Sequence, residues 1–290
     1  MKIRAATRAS PLARWQAEYI AGLLAANHIE VELCPVSTAG DRDKTTPLHQ
    51  IGGKGVFVKE VQAAVLDGRA DIAVHSAKDL PALTPDGLTI AAVPPRADAR
   101  DALVGCQLGD LPDGARVGTG SVRRQVQLAE LRPDLELVEI RGNIDTRLGL
   151  IAANGGELDS IVMAAAALDR LDRSGLVIDR LDATTMLPQV GQGTLAVECR
   201  TDDADAIEAL AAIDDAHAHA VLDCERSFLT ELGGDCDLPA GAHATRGNGE
   251  FSVAALLAGS DGSIERATRS GADGVVIGRE LAVELRARLS

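Results

Sequence analysis

The sequence has no long hydrophobic segment. Its first ten residues, MKIRAATRAS, contain no apolar core of the kind found in secretory signal peptides. The apolar run IVMAAAAL at 161–168 is far shorter than the roughly 20 residues that a helix needs to cross a bilayer. We therefore predict no signal peptide, no membrane association and a cytoplasmic protein.

The sequence also has few cysteines, and they are widely separated. They are odd in number, at positions 34, 106, 199, 224 and 236, and no CxxC pair or Cys/His group has zinc-site spacing. This pattern argues against a disulfide framework and indicates reduced thiols. No metal site is predicted.

Positive charge is scarce. With 43 acidic and 29 Lys and Arg residues, the formal net charge is −14. This charge argues against nucleic acid as a partner, because binding its phosphates needs a basic face, and we predict none. A small anionic ligand is not excluded, since an arginine cluster can line one cleft of an acidic protein.

No fixed-period repeat or low-complexity tract is present, and strand and helix patterns alternate instead. KIRAAT (2–7) and DIAVHS (71–76) read as strands of a first lobe, and RVGTGS (116–121) and DSIVMA (159–164) as strands of a second. Such β-α-β alternation predicts an α/β fold of two lobes with mostly parallel sheets and right-handed crossovers. The segment 94–101, PPRADARD, reads as a linker between them.

The pattern changes near Ala216. A helix is followed by two segments, 251–258 and 263–271, that read as paired antiparallel strands, and a helix closes the chain. These elements predict a smaller α+β C-terminal domain. The predicted domains are 1–94 plus 190–213, 95–189, and 214–290.

Two glycine motifs resemble nucleotide-binding loops but lack the required context. In GGKGVF (52–57), Lys54 is followed by glycine instead of Ser or Thr, so a phosphate-binding P-loop is rejected; the segment 39–55 is instead predicted to be a long loop. GQGTLA (191–196) leads into a strand, whereas a dinucleotide site needs a helix there. We interpret it as a glycine hinge between lobes.

HSAKDLP (75–81) follows directly from a predicted strand, where α/β proteins bind ligands. Lys78 could contact a bound molecule, and Asp79 could act as a positioned acid or base. A capped, solvated turn explains the same residues about equally well.

Arginines recur beside predicted strand ends. Arg123 and Arg124 lie in the first turn of a helix, Arg141 and Arg147 flank the next strand–helix junction, and Arg8 ends the first strand. A helix N-terminus favours anions, so cations there are reasonable if an anion shares the site. The repeated placement predicts a ligand with several carboxylates or phosphates.

The most unusual cysteine is Cys236, in the turn TELGGDCDLPAG (230–241). It lies between Asp235 and Asp237, whose charges disfavour a thiolate, the usual cysteine nucleophile. Cys236 is therefore either inert or reacts by other chemistry.

Taken together, these segments resemble the porphobilinogen deaminase (hydroxymethylbilane synthase) family. The matching motifs occur in order over some 240 residues: ATRASPLARWQA (6–17), GGKGVFVKE (52–60), RADIAVHSAKDLP (69–81), VGTGSVRRQ (117–125), IRGNIDTRL (140–148), LPQVGQGTLAVECR (187–200) and ERSFLTELGGDCDLPAGAHA (225–244).

The resemblance implies two periplasmic-binding-protein-like lobes and a monomer that joins four porphobilinogen molecules into hydroxymethylbilane, releasing ammonia. It implies a dipyrromethane cofactor attached by a thioether to Cys236 and a catalytic carboxylate at Asp79. The other implied residues hold carboxylates: Lys78, Ser121, Arg123 and Arg124 for the cofactor, and Arg8, Ser10, Arg141, Arg147, Arg170, Gln192, Lys54 and Lys59 for the substrate.

The chemistry of this reaction fits the residues. Each pyrrole carries two carboxylates, so a growing chain needs cations, and loss of ammonia leaves an azafulvenium cation that Asp79 could stabilise. So strong an electrophile also makes a depressed thiol pKa less necessary at Cys236, and Asp235 or Asp237 could accept its proton. The family usually has glycine at the position of Asp235 and a larger residue at Ala240; neither change removes a reacting group.

Three alternatives remain open from the sequence. A two-lobed solute-binding or sensing protein would explain the hinge and the arginines, but not Asp79 and Cys236. A cysteine hydrolase would need one of the six histidines as its base, and no motif singles one out. An inactive member of the same family is the third.

Overall fold

The computed structural model describes residues 1–38, 58–234 and 238–289. It divides into two compact units, Met1–Ala97 with Thr194–Leu222, and Asp98–Gly193 with Asp223–Ser290. The predicted three-domain boundaries stay a prediction.

The described strands and helices follow one another in an α/β order. They are β1 (Lys2–Arg8), α1 (Pro11–Ala25), β2 (Glu30–Val36), α2 (Lys59–Leu66), β3 (Ile72–Ser76), β4 (Leu88–Ala92), β5 (Asp101–Val104), β6 (Arg116–Gly118), α3 (Val122–Leu131), β7 (Glu136–Val138), α4 (Ile144–Leu148), β8 (Ser160–Ala164), α5 (Ala165–Arg170), β9 (Val177–Leu181), β10 (Leu195–Arg200), α6 (Ala204–Ala211), α7 (Ala216–Glu231), β11 (Ala240–Gly247), β12 (Glu250–Ala258), β13 (Ile264–Gly271) and α8 (Gly274–Arg288).

The first helix begins where its sequence predicts. Ser10 is the N-cap of α1, its Oγ accepts a hydrogen bond from the Ala13 backbone N–H at 3.3 Å, and Pro11 opens the helix. Ala17, Ile20 and Leu24, spaced three and four residues apart, are fully buried. Capping and apolar spacing together fix the position of this helix.

The first unit contains a five-stranded sheet in the order β2-β1-β3-β10-β4, counted over the described residues. β1 is parallel to β2 and β3, whereas β10 is antiparallel to β3 and β4. Side chains alternate across β1: Ile3 and Ala5 join the core formed with α1 and α6, and Ala6 joins that formed with α2. The sheet is therefore covered by helices on both faces.

The second unit repeats this topology in the described order β7-β6-β8-β5-β9. β6 is parallel to β7 and β8, and β5 is antiparallel to β8 and β9. Leu103, Val117 and Val162 of the sheet pack with Leu128 of α3 in one core. The α/β fold of two lobes is confirmed, with mixed sheets. The segment read as a linker differs in one respect, because Asp101 begins β5.

The end of the chain forms a small sheet–helix domain. β11, β12 and β13 make an antiparallel sheet, and α8 packs against β12 and β13. Asn248 and Gly249, with φ of 53° and 84°, form the two-residue turn between β11 and β12. Gly278 of α8 lies against α7, where an added Cβ would clash with Ser227. The predicted α+β character of this part of the chain is confirmed.

No helix within the described ranges has both the length and the apolar character needed to cross a membrane.

Candidate functional site

Asp79 lies at the carboxyl end of β3. This strand is buried throughout and continues into a single 3₁₀ turn, Ala77–Asp79, held by a hydrogen bond from the Ala77 N–H to the Thr194 carbonyl at 3.0 Å. Lys78 and Asp79 are half-buried. Among the described residues, no hydrogen bond or ion pair engages the Asp79 carboxylate. A rigid strand end therefore presents a carboxylate that a ligand can use.

Arg8 and Ser10 lie at the same edge of this sheet. Arg8 is the last residue of β1, and β1 runs parallel to β3 in the register Ala5 to Ile72. Adjacent parallel strands end at one edge, so the polar residues that follow β1 and β3 are close in the fold. Lys59 is exposed at the first position of α2, and Lys54 lies outside the described residues.

A buried polar cluster lies behind this edge. Glu198 of β10 is fully buried, and its carboxylate accepts hydrogen bonds from Gln62 Nε2 at 3.1 and 2.9 Å. His75 Nε2 lies 3.1 Å from Glu198 Oε2, an ion-pair distance without hydrogen-bond geometry. Sequence reasoning missed Glu198, although a charged residue within the apolar strand LAVEC was a usable signal.

The arginines of the second unit follow the carboxyl ends of three parallel strands. Ser121, Arg123 and Arg124 follow β6; Arg141 and Arg147 follow β7; Arg170 is the last residue of α5, directly after β8. Because β6 is parallel to β7 and β8, these segments leave one edge of the sheet. The topology thus brings the cation-bearing segments to one edge.

Glycine permits the close packing of this edge. A Cβ at Gly120 would lie 2.6 Å from the carbonyl oxygen of Ile140, so only glycine lets the turn after β6 approach the segment after β7. In that segment Asn143 caps α4, accepting a hydrogen bond from the Thr146 N–H at 2.8 Å. Gly120 and the Asn143 cap therefore help to fix the segments that carry Ser121 and Arg147.

Arg123 and Arg124 share one carboxylate, that of Asp101. Arg123 Nη2 donates to Asp101 Oδ2 at 2.8 Å, and Arg124 Nε donates to Oδ1 at 3.0 Å. Gln192 Nε2 donates to the same Oδ1 at 2.8 Å and to the Ala99 carbonyl at 2.7 Å. All four of these side chains are buried. Sequence reasoning missed Asp101, which carries no local signal.

The charges of Asp101, Arg123 and Arg124 do not sum to zero. Burial alone would raise the pKa of Asp101, but the two guanidinium groups and the Gln192 hydrogen bond lower it to about 2. Burial and repulsion from Arg124 lower the pKa of Arg123 in spite of Asp101. Two guanidinium cations and one carboxylate leave a net charge of +1 in the protein interior. Such a charge is costly unless another anion compensates it.

The remaining predicted residues are placed as follows. Arg170 is buried and donates from Nη2 to the Gly193 carbonyl at 2.7 Å, while Arg141 and Arg147 are half-buried. Cys236, with Asp235 and Asp237, lies outside the described residues. The site roles assigned to all of these residues stay predictions.

A buried glutamate connects the segments on either side of the cysteine turn. Glu225 of α7 accepts hydrogen bonds from the backbone N–H of Gly191 at 2.8 Å and of Ala244 at 2.9 Å. Its two oxygens therefore tie the glycine motif to β11. The four described cysteines are free thiols, and burial raises the pKa of Cys199 to about 11 and of Cys224 to about 12.

Comparison with known proteins identifies the family. Residues 3–208 match "Porphobilinogen deaminase, dipyromethane cofactor binding domain", and residues 220–287 match "Porphobilinogen deaminase, C-terminal domain". The chain belongs to the porphobilinogen deaminase family. A curated porphobilinogen deaminase from Syntrophotalea carbinolica is 42% identical over 294 aligned positions, covering 99% of this chain and 93% of that protein.

Two solved structures with partial likeness to this porphobilinogen deaminase family member are solute-binding proteins. An ancestral cationic amino acid solute-binding protein is 15% identical, with a TM-score of 0.46 over 78% of this chain and 93% of that one. A nutrient-binding protein from Burkholderia cenocepacia, bound to methionine, is 12% identical, with a TM-score of 0.44 over 79% and 95%.

The described residues fit the cofactor named in the family description. The dipyrromethane of porphobilinogen deaminases carries carboxylates, and the Arg123–Arg124 pair offers buried donors with excess positive charge. Nε of Arg123 is buried without a hydrogen-bond partner among the described residues. The donor set therefore suits a carboxylate-bearing group, and this chain is an enzyme of tetrapyrrole synthesis with a dipyrromethane-binding domain.

Proposed function

We propose that this protein is a hydroxymethylbilane synthase, a transferase that condenses four porphobilinogen molecules head to tail and releases ammonia at each step. The observation that carries the proposal is the buried arginine pair with one shared carboxylate, in a chain of this family. An excess buried positive charge favours a ligand that brings carboxylates, and porphobilinogen carries two per ring.

The cationic residues bind the carboxylates of cofactor and substrate. Ser121, Arg123, Arg124 and Lys78 would hold the dipyrromethane, which when bound supplies the terminal pyrrole to which the first substrate unit is joined. The growing chain would contact the following residues: Arg8, Ser10, Lys54, Lys59, Arg141, Arg147, Arg170 and Gln192. Charge-assisted hydrogen bonds make these contacts strong, because an ionised partner roughly doubles their strength.

Asp79 would act at the reacting centre. Positive charge develops on the porphobilinogen unit as ammonia leaves, and a carboxylate at that point stabilises it electrostatically. The position of Asp79 on a rigid turn, without a competing partner among the described residues, supports this role. The same carboxylate can accept a proton from the pyrrole once the new bond has formed.

Cys236 would hold the cofactor through a thioether. Its sulfur would be the point of covalent attachment, and Asp235 or Asp237 would be the group that accepts the thiol proton. A covalent tether makes each coupling effectively intramolecular, which favours stepwise growth. We further propose a monomer located in the cytoplasm.

Intact-mass measurement tests this proposal. The purified protein should carry an added mass of two linked pyrrole units, and the Cys236→Ser variant should not. Cys106→Ser is the matched control, since Cys106 is a half-buried free thiol in the described chain; it should keep the added mass.

The alternative reading, a solute-binding or sensing protein, predicts a different result. Such a protein would carry no covalent addition, would gain none on incubation with porphobilinogen or hydroxymethylbilane, and would release no ammonia. That combination would contradict the proposed function.

A further inference from the structure

We propose that Asp101 is a positioning residue that fixes the Arg123 and Arg124 guanidinium groups and leaves the pair one net positive charge for a ligand carboxylate. The inference rests on the proposed function, because it concerns the arginines that would hold the cofactor. Asp101 itself makes no contact with ligand in this proposal.

The backbone of Asp101 is held by the sheet. It is the first residue of β5, paired with Ala164 of β8 on one side and Leu181 of β9 on the other. The residue is fully buried. A carboxylate fixed between two strands is a rigid reference point for the side chains that bind it.

The guanidinium groups are oriented from both sides. Besides Asp101, Arg123 Nη1 donates to the Leu187 carbonyl at 2.5 Å, and Arg124 Nη1 donates to the Val162 carbonyl at 3.1 Å. Each planar group is thus bound at two or more points, which leaves it little rotational freedom. Gln192 fixes the carboxylate in turn, because its Nε2 bridges Asp101 Oδ1 and the Ala99 carbonyl.

The charge count of this arrangement differs from that of a simple ion pair. A simple pair balances one cation with one anion, whereas here a second buried cation adds a desolvation cost. An anion additional to Asp101 would offset that cost, and the proposal assigns this part to a ligand carboxylate. Nε of Arg123, buried without a partner among the described residues, is a donor still available to that anion.

Loading of the apo-protein tests the proposal. Apo-protein made in cells that lack porphobilinogen is incubated with hydroxymethylbilane, and the rate of mass gain is measured for the wild type and for Asp101→Asn, Asp101→Glu and Asp98→Asn. Asp98 is the matched control, because it is a nearby carboxylate that also pairs with two arginines, Arg100 and Arg180.

We expect Asp101→Asn to load at least tenfold more slowly, Asp101→Glu to stay within about threefold of the wild type, and Asp98→Asn to be unchanged. Asparagine keeps the shape of the aspartate side chain but loses its charge, whereas glutamate keeps the charge but changes the shape. If Asp101 only filled space, Asp101→Asn would load faster than Asp101→Glu. Circular dichroism checks that each variant is folded.

Several results would overturn the inference. One is Asp101→Asn loading at the wild-type rate, and another is folded Asp101→Glu losing tenfold or more. If Asp101→Asn does not fold, the Asp101→Glu rate decides alone. A wild type that gains no mass would overturn the proposed function as well, whereas equal loading of wild type and variants would overturn only the role of Asp101.

Discussion

The two lobes place a buried carboxylate on equivalent strands and surround it differently. β10 in the first sheet and β5 in the second are both flanked by antiparallel neighbours at the same position in the strand order. Glu198 lies on β10 and Asp101 on β5, and both are fully buried. Each also accepts hydrogen bonds from a glutamine amide, Gln62 in one lobe and Gln192 in the other.

The difference lies in the cations. Among the described residues, His75 lies at ion-pair distance from Glu198, whereas Asp101 binds the guanidinium groups of Arg123 and Arg124. The three charged side chains of the second cluster, two guanidinium groups and one carboxylate, sum to a charge of +1. The same strand position thus holds a carboxylate beside a histidine in one lobe and a carboxylate shared by two arginines in the other.

The largest effect on stability is expected for Asp101→Asn. Removing this charge leaves two guanidinium groups buried without a carboxylate, which should lower the free energy of unfolding by about 3–5 kcal/mol. Urea denaturation of the apo-protein measures it. A loss below 1 kcal/mol would mean that the arginines need no internal anion, and the contrast between lobes would fail.

Asp79→Asn should affect rate but not stability. The amide keeps the shape of the turn but cannot stabilise developing positive charge, so kcat should fall about 10²–10³-fold. The urea midpoint should stay unchanged, because no described partner of Asp79 is lost. Asp86→Asn, at an exposed position in the same lobe, is the control. Wild-type turnover in Asp79→Asn would contradict the assignment of chemistry to the first lobe.

Acid should remove part of the contribution that the Asp101 carboxylate makes to the free energy of unfolding. Its pKa in the folded protein is about 2, below the ordinary value of 3.8, so the stabilisation is complete above pH 4 and is lost as pH falls toward 2. At 1.36 kcal/mol per pKa unit this corresponds to about 2–3 kcal/mol. The stability gap between wild type and Asp101→Asn should narrow over this range; a constant gap would refute the linkage.

Glu198→Gln should cost less than Asp101→Asn. The glutamine carbonyl can still accept from Gln62, and the described residues place no arginine against Glu198, so we expect a loss of about 1–3 kcal/mol in the free energy of unfolding. Comparison of the two urea curves measures the difference between lobes. An equal or larger loss for Glu198→Gln would break the comparison.

The smallest effect is expected for Asp98→Asn. Asp98 pairs with Arg100 and Arg180 near the surface, and its side chain is 20% exposed. Solvent screening should hold the loss below about 1 kcal/mol. A loss near that of Asp101→Asn would show that a carboxylate bound to two arginines contributes the same stability whether it is buried or exposed.

Local signals in the sequence were sufficient for much of the fold. Ser10 and Pro11 mark the start of α1, and the apolar run before Ser76 marks β3, because capping and burial depend on neighbouring residues. β5 was missed, since its four residues follow a segment rich in proline and charge. β11 was missed although Asn248–Gly249 is a strong hairpin signal.

The part of the site that depends on local sequence signals was also predictable. The arginines in the first turn of α3 indicated an anion nearby, and that inference needs only the helix and its dipole. The identity of Asp101 as an internal anion could not be predicted. It reaches Arg123 and Arg124 through the pairing of β5 with β8, some 60 residues later in the chain, and no local pattern encodes this pairing.

The position of β10 has a consequence for the newly made chain. This strand lies between β3 and β4, yet it is synthesised only after Asp98–Gly193. At 5–20 residues per second, β3 and β4 wait roughly 5–20 s on the ribosome for the strand that joins them. During that interval their hydrogen-bonding edges are open to other chains. The first lobe therefore cannot complete its sheet until the chain has been made as far as Arg200, so part of the earliest-made structure is among the later structure to close.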